Sequence, residues 1–525
     1  VESDSAQHQE LDFDIHFPST DTTDADAFTF FGSSSVYVLS AELLAAACPH
    51  SSLLQQFKDP AITEMAGGVA HGREMIDISS SVMPSRALVH HLVDAYENSC
   101  MLLWPLQLED IDDTAIDNFL QSTYQKVAPP SAATRPQSHL TFQIAMICAI
   151  ASAHTSRVNS AMAACEQFFY LHASKGMNEV LSEATAESLV DLLLLIIYLL
   201  FRPDKGDLWM LLELACRLAV ELGHHRDHAR SSENLDQTLS RSRTFWTLYR
   251  LEHAVAEMYG RPSDDLESII TIDIPANILM SHVIDHLDSP LDTISSSMAI
   301  LSRLRSDIFR TIYLPARATR FLEDDVVYHT ILDKADRWYH DISQGGSDIL
   351  RETMFKIAYH ALILFLNQKS LLQILLSLSP SQIPIDESVS AIIVRSFSSA
   401  YEIIKSYENV ILSDNGARVP GYPVTFISAH EICAASLTVM AYCFFIVDSQ
   451  ARSLAPRRLR DRSSSKQIDL PLEHEARGKL HHISASCLSL LTWCSIQWPE
   501  MAGMLEIFKE LSVTLLPKLS KEDIG

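Results

Sequence analysis

Residues 192–227 read LLLLIIYLLFRPDKGDLWMLLELACRLAVELGHHRD, and after a polar interval residues 241–262 read RSRTFWTLYRLEHAVAEMYGRP. Leu192 to Phe201 is apolar on every side, the composition of a helix buried inside a large core rather than one lying at a surface. Pro203 and Gly206 break it. In the next segment Leu208, Leu211, Leu212, Ala215, Leu218, Ala219 and Leu222 fall at three- and four-residue steps, so they form one helical stripe, which Gly223 is placed to end. The pattern repeats through Phe245, Leu248, Leu251, Val255 and Met258. It stops at Gly260 and Pro262, where the proline ring denies the next turn a donor. The expectation is a packed three-helix unit within an all-α chain.

The same residues carry a family resemblance. Leu222, Gly223, His225, Arg226 and Asp227 match a Leu-Gly-x-His-Arg-Asp element. Arg241, Arg243, Phe245, Trp246, Leu248 and Tyr249 match a basic run followed by Phe-Trp-x-Leu-Tyr, and Gly260, Arg261 and Pro262 match Gly-Arg-Pro. Together they resemble the signature of the fungal-specific transcription factor domain, the middle homology region of regulators that bind DNA through a separate zinc module. Ser242 interrupts the basic run, and Glu252-His253 stands where that family usually has Asp-Arg. FFGSSSVYVLS, beginning at Phe30, is similar to the aromatic-Gly-Ser element that often precedes the domain. The resemblance therefore spans most of Phe30 to Pro275, and it implies a large multi-helix regulatory domain. It also makes His225-Arg226-Asp227 a structural corner, in which Arg226 and Asp227 satisfy helix ends and each other. Arg241, Arg243 and Arg250 are expected to pair with carboxylates on neighbouring helices.

Composition narrows the function. A chain of 525 residues with 47% hydrophobic residues, a mean hydropathy of +0.08 and only 15 glycines implies continuous helical packing with few flexible joints. Sequence-independent DNA affinity comes mainly from Lys and Arg neutralising phosphates, and a formal charge of -26 opposes it, so direct nucleic-acid binding by this chain is not expected. Nine cysteines contain no Cys-x-x-Cys pair, which points to reduced thiols rather than a disulfide scaffold. No apolar run approaches the roughly eighteen residues needed to cross a bilayer, so no membrane partner is expected. Nor is there the cluster of thiolates that would hold zinc. No cofactor is therefore expected in this chain, and zinc only in a DNA-binding module upstream. The chain opens at Val1, so such a module has either been removed or been dispensed with.

Four regions are expected in order. Residues 1–29 are acidic and polar, read as a disordered linker, with an acidic activation segment as the alternative. Residues 30–447 form the helical core, opening with a helix whose face carries Leu88, His91, Leu92, Ala95 and Tyr96. Residues 448–470 form a basic, Ser-rich loop, read as solvated or as a nuclear import signal. Residues 471–525 are C-terminal helices packed on the core. The long apolar segment around MFKIAYHALILFLNQK is read as a core helix.

Two constellations invite chemistry. Asp110-Ile111-Asp112-Asp113 has the Asp-x-Asp-Asp pattern by which some terpene cyclases protonate an alkene. At the start of a helix the same residues serve as N-cap and first turn, which is the preferred reading. His224, His225 and His228, with Asp227, could bring two imidazoles to one metal ion, but Gly223 ends the helix and disturbs the i to i+4 spacing, so a structural corner is preferred. There is no Gly-rich phosphate cradle, no Gly-x-Ser-x-Gly and no His-Glu-x-x-His.

The helical body is expected to enclose an apolar pocket edged by Trp, Tyr, Met and His, open to a small apolar effector or substrate. One reading is the effector-sensing domain of a fungal transcription regulator in the nucleus, pairing as a homodimer. The alternative is a cytoplasmic enzyme of secondary metabolism with the same fold, a cyclase, isomerase or dehydratase. Its candidate acids and bases are Asp112, Asp113, His224, His225 and His228.

Overall fold

The computed structural model describes residues 15–18, 28–32, 34–54, 84–106, 108, 111–124, 135–157, 159–227, 234–262, 266–281, 290–314, 326–343, 348–377, 387–412, 419, 421–454 and 474–519. In chain order they form β1 (Ile15–Pro18) and β2 (Phe28–Phe31), then α1 (Val36–Ala47), α2 (Arg86–Glu97), α3 (Cys100–Leu103), α4 (Asp113–Tyr124), α5 (Arg135–Thr155), α6 (Met162–Val180), α7 (Ala186–Phe201), α8 (Leu208–Glu221), α9 (Leu235–Tyr259), α10 (Pro275–Ser281), α11 (Pro290–Ile308), α12 (Val326–Ser343), α13 (Ile349–Ser377), α14 (Glu387–Ile411), α15 (Phe426–Leu454), α16 (His474–Gln497) and α17 (Ala502–Leu519). The fold is all-α, with one added antiparallel pair in which Ile15 lies opposite Phe31 and Pro18 opposite Phe28.

The all-apolar run is α7, buried without a break from Ser188 to Phe201 and packed between α5 and α8. Its one charged residue in that span, Asp191, is matched by its surroundings, as buried charge must be. His139 reaches it at 2.6 Å, and Gln143 Nε2 donates to it at 2.9 Å. At the end of α7, Arg202 forks onto Glu166 of α6 through Nε and Nη2, both at 2.6 Å. α5 and α6 pack along their lengths across a short turn, and α2 covers the other side of α5.

A second group of helices, α13, α14 and α15, packs in succession, with α16 and α17 laid over α15. α1 crosses this group, touching α13, α15 and α17, so the start and end of the described chain share one core that runs from Val36 to Leu519. The C-terminal helices are also tied to α7: Trp498 Nε1 donates to the Phe201 carbonyl at 3.2 Å. The guanidinium of Arg157 lies 5.0 Å from the Phe201 ring and 4.9 Å from that of Trp498, a cation–π pin between the two halves. Burial, with Arg202 nearby, pulls its pKa down to about 9.

Three details differ from the sequence reading. On α2 the buried stripe is Val89, Leu92, Val93 and Tyr96, while His91 is exposed. The β-branched pair Val89/Val93 keeps the i, i+4 spacing and turns the imidazole outward. α15 contains an apolar stretch, Phe426–Asp448, that is long enough to span a membrane, contrary to the expectation of none. Within the fold 72% of its apolar window is buried, which makes it a core helix. α15 also continues through Leu454, so the region expected as a basic loop opens as helix, and residues 455–473 lie outside the described residues. Most of residues 1–29, Asp110 and His228 lie outside them as well.

Candidate functional site

The signature glycines work as helix stops. Gly223 has φ +73 and Gly260 φ +68, conformations an L side chain resists. Each is the pivot of a six-residue return. His224 N–H donates to the Ala219 carbonyl at 2.9 Å and Gly223 N–H to Val220 at 3.0 Å; Arg261 N–H donates to Ala256 at 3.0 Å and Gly260 N–H to Glu257 at 3.1 Å. Both are Schellman ends, which satisfy carbonyls that α8 and α9 would otherwise leave open.

Beyond Gly223 the His-Arg-Asp corner is sewn to the strand-like segment before α10. The His225 carbonyl accepts from Thr271 N–H at 2.9 Å and Ile272 N–H at 3.2 Å, and Asp227 N–H donates to Thr271 Oγ1 at 2.9 Å. Arg226 Nε donates to His225 Nε2 at 3.1 Å, while Arg241 Nη1 closes the corner on the Arg226 carbonyl at 2.5 Å. Among the described residues Arg226 forms no ion pair with Asp227, contrary to the expectation, and its Nε is given to His225 instead. Arg243 does find a carboxylate on a neighbouring helix: its Nε and Nη2 meet Asp292 of α11 at 2.7 and 2.8 Å. Arg250 finds none among the described residues. Its Nη1 has no hydrogen-bond partner there, and burial beside Arg305 lowers its pKa to about 9.

The aromatic part of the signature is core. Phe245, Trp246 and Tyr249 are all 0% exposed and pack together with Ile272 and Ala299. Trp246 Nε1 donates to the Asp273 carbonyl at 3.1 Å, and the Tyr249 hydroxyl to Glu267. Glu252 and His253, the departure from the family pattern, pair with each other at 2.7 Å. Arg261 stacks over Trp209 and Tyr259, 5.0 Å from each ring, which locks the Gly-Arg-Pro end onto α8.

The aromatic-Gly-Ser element and the Gly-Arg-Pro element, far apart in sequence, meet backbone to backbone. Gly32 N–H donates to the Tyr259 carbonyl at 3.2 Å, and Ser35 Oγ to the Met258 carbonyl at 3.1 Å. A Cβ on Gly32 would lie 2.0 Å from the Gly260 carbonyl oxygen, so neither glycine admits a side chain. This junction carries Ser34 and Val36 to the wall of a cavity that opens toward solvent.

That cavity lies between α9, α11, α13, α14 and α15. The space open to the centre of a water-sized sphere is about 50 Å³. Apolar walls come from Val36, Met258, Leu364, Phe365, Ile403 and Ile427; the polar groups are Ser34, Glu257, Arg305, Gln368, His430 and Glu431. Arg305 Nη1 pairs with Glu257, and the Tyr407 hydroxyl donates to Glu431. Gln368 Nε2 is spent on the carbonyls of Ser34 and Ser35, at 2.8 and 3.2 Å. Among the described residues Ser34 Oγ and both ring nitrogens of His430 have no hydrogen-bond partner. Burial drives His430 down to about 3, so the ring is neutral. It also raises Glu431 to about 7, with the Tyr407 hydrogen bond and Arg305 pulling the other way and Glu257 adding to the rise.

Of the Trp, Tyr, Met and His expected at the pocket edge, Met258 and His430 line this cavity, and its polar edge also includes Glu, Arg, Gln and Ser. A signal for it stands in the sequence: His430-Glu431 interrupts an otherwise apolar helix, and Gln368 does the same in α13. The residues named for acid–base chemistry lie elsewhere. Asp112 Oδ1 accepts from Ala115 N–H at 2.7 Å, the N-cap of α4, and Asp113 bridges Arg86 at 2.8 Å and His90 at 3.0 Å on the surface. His224 and His225 are buried at the α8 corner. Among the described residues no group of three or more His, Cys, Asp or Glu could hold a metal ion, and eight of the nine cysteines are buried as free thiols.

Comparison with known proteins agrees with the signature. Residues 116–340 match the fungal specific transcription factor domain. Pyrimidine pathway regulatory protein 1 of Saccharomyces cerevisiae is 22% identical over 274 residues, covering 49% of this chain and 29% of that protein. A negative regulator of pleiotropic drug resistance from Candida glabrata is 32% identical over 141 residues, covering 26% of this chain and 14% of that protein. An uncharacterised transcriptional regulatory protein of Schizosaccharomyces pombe is 22% identical over 263 residues, covering 47% and 32%. The chain therefore spans about a third or less of the length of these relatives. No solved structure matches it significantly.

Proposed function

We propose, from the premise that residues 116–340 are a fungal specific transcription factor domain, that this chain is the regulatory and effector-sensing part of a fungal transcription factor. The observation that carries the reading is the match to that domain, and the structure explains what its signature does. The signature arginines and aromatics are spent on helix ends, carbonyls and core contacts, so they build a frame and leave recognition to what the frame encloses. The cavity behind Ser34 and Val36 is the place for an effector, since it is concave, mostly apolar and edged by a few polar groups. Contact with DNA belongs to a separate zinc module, because a chain of charge -26 repels phosphate. The site of action is the nucleus, and the chain pairs with a second copy. Two of the relatives are named for regulating a pyrimidine pathway and drug resistance, which supports a domain that answers to small molecules.

The test is a tethering assay. The chain, fused to an unrelated DNA-binding domain, should change expression of a reporter bearing that domain's site, and the change should depend on growth conditions. A reporter indistinguishable from the DNA-binding domain alone under every condition would overturn the proposal.

A further inference from the structure

From Leu480 to Pro499, which covers most of α16, the sequence has no Asp, Glu, Lys or Arg. Burial explains a similar run in α5, where Phe142 to Ala153 are buried without a break. It does not explain this one. His481, Ala485, Leu488, Ser489, Thr492 and Ile496 are exposed, Leu488 by 39% and Ile496 by 67%. At 3.6 residues per turn the six fall within about 100° of arc, so they make one stripe along the helix. Other surface helices turn charge outward: Arg217 on α8, Lys334 on α12, Arg395 on α14 and Glu506 on α17.

The stripe offers little to hydrogen-bond with. Thr492 Oγ1 donates to the Leu488 carbonyl at 2.7 Å and Ser495 Oγ to the Thr492 carbonyl at 2.8 Å, so both hydroxyl protons are spent within the helix. At its N-terminal margin the charged groups belong to α14 and are engaged there: Lys405 Nζ meets His482 at 2.9 Å and Glu408 at 2.6 Å, and Glu408 accepts from Ser486 at 3.0 Å.

Charge decides which partner fits. A basic partner gains by docking on carboxylates, and the stripe presents none. Two copies of this chain, each of formal charge -26, repel wherever acidic surfaces meet, so an uncharged face is where they can approach. A contact between two identical faces must also complement itself. Run antiparallel about its midpoint, the stripe sets Ala485 opposite Ile496, Ser489 opposite Thr492, and His481 opposite the exposed Glu500. Run parallel, it would set Ile496 on Ile496 and Glu500 on Glu500. Along a helix of 24 residues, about 36 Å, a strip about 20 Å wide covers about 700 Å² of each copy, near the roughly 800 Å² per partner of a standard interface.

We propose that two copies of this chain associate through α16, antiparallel across a two-fold axis, with Leu488, Thr492 and Ile496 at the contact. The proposal rests on the reading that the chain pairs with a second copy, and it names the face.

Sedimentation of the whole chain over the micromolar range should give a species of twice 58.7 kDa. Ile496→Glu puts a carboxylate into the contact at an exposed position, and should weaken association about a hundredfold or more while leaving thermal unfolding of the monomer unchanged. Thr492→Glu should do the same and serves if the first variant does not fold. Adding Ala485→Lys to Ile496→Glu should recover most of the loss, because the antiparallel register sets the two positions against each other across the axis, whereas on one helix they lie about three turns apart. Val326→Glu, at a residue 76% exposed on α12, is the control and should associate as wild type does. A dimer that withstands both α16 variants, an equal loss in Val326→Glu, or no recovery in the double variant would overturn the proposal and leave the pairing itself standing. A chain that stays monomeric across the range would overturn both, while the tethered reporter would still test the regulatory role on its own.

Discussion

Substituting alanine at Gly32 or Gly260 tests the junction on which the cavity wall hangs. On Gly260 a Cβ would sit 2.4 Å from the Gly32 carbonyl oxygen and 2.7 Å from its carbonyl carbon, at a residue whose φ is +68. Holding an L residue in that left-handed conformation costs about 1–2 kcal/mol. The contact then has to open, which breaks the Gly32 N–H bond to Tyr259 and the Ser35 Oγ bond to Met258, at about 1 kcal/mol each. Gly260→Ala should therefore destabilise by about 3–4 kcal/mol. Gly32→Ala, which meets the Gly260 carbonyl oxygen at 2.0 Å but carries no left-handed penalty, should cost about 2 kcal/mol or more. Gly176 lies in α6, where a Cβ would meet nothing within 4 Å, so Gly176→Ala is the matched control. It should stabilise by about 0.5–1 kcal/mol, the usual gain for alanine in a helix. Urea unfolding midpoints give the ranking, and hydrogen exchange at residues 34–47 should speed up in the two junction variants. If Gly32→Ala and Gly260→Ala unfold with the control, the backbone apposition does not hold the N-terminal element in place.

Three further outcomes follow from the same geometry. Arg243→Ala strands the Asp292 carboxylate, which is only 4% exposed, and should cost about 3 kcal/mol in urea unfolding, with most of the loss recovered when Asp292→Asn is added. Glu431 is held above its ordinary value of 4.5, at about 7, so the folded state keeps the proton that the unfolded state loses; stability should fall as pH rises from about 4.5 to 7 and level off above it. In Glu431→Gln that part of the slope should vanish from the melting curves. Asp112→Ala removes the α4 N-cap and should cost about 1 kcal/mol, whereas Asp112→Asn should cost little and both should leave the tethered reporter responding as wild type does.

What the sequence makes legible depends on how local the cause is. α7 announces itself because every residue in the run is apolar, and the ends of α8 and α9 because Gly223 and Gly260 supply the only conformation that closes a Schellman turn. The phase of α2 is not legible, because Ala95, Leu88 and His91 mimic a stripe that Val89 and Val93 occupy in fact; only contact with α5 decides between two faces so close in hydropathy. β1 and β2 pair across an acidic stretch, and such pairing is fixed by tertiary neighbours more than by propensity. The cavity is hidden for a related reason. Ser34, Glu257, Arg305, Gln368, His430 and Glu431 come from separate places in the chain, and no spacing rule joins them.

The signature and the cavity are nonetheless one construction. Gly260 must end α9 where it does for Tyr259 and Met258 to offer their carbonyls to Gly32 and Ser35, and that contact carries Ser34 to the cavity that His430 also lines. α9 contributes Glu257 and Met258 to the wall one turn before the same stop, while Arg243, further back on the same helix, clamps α11 through Asp292 and so fixes the helix from which Arg305 reaches Glu257. A change in the cavity that moved Glu257 or Ser34 would therefore bear directly on the Gly32–Gly260 contact, where there is no slack for a methyl group. In such a frame the signature residues hold the helices, and the cavity wall is made by the less regular positions that the frame brings together.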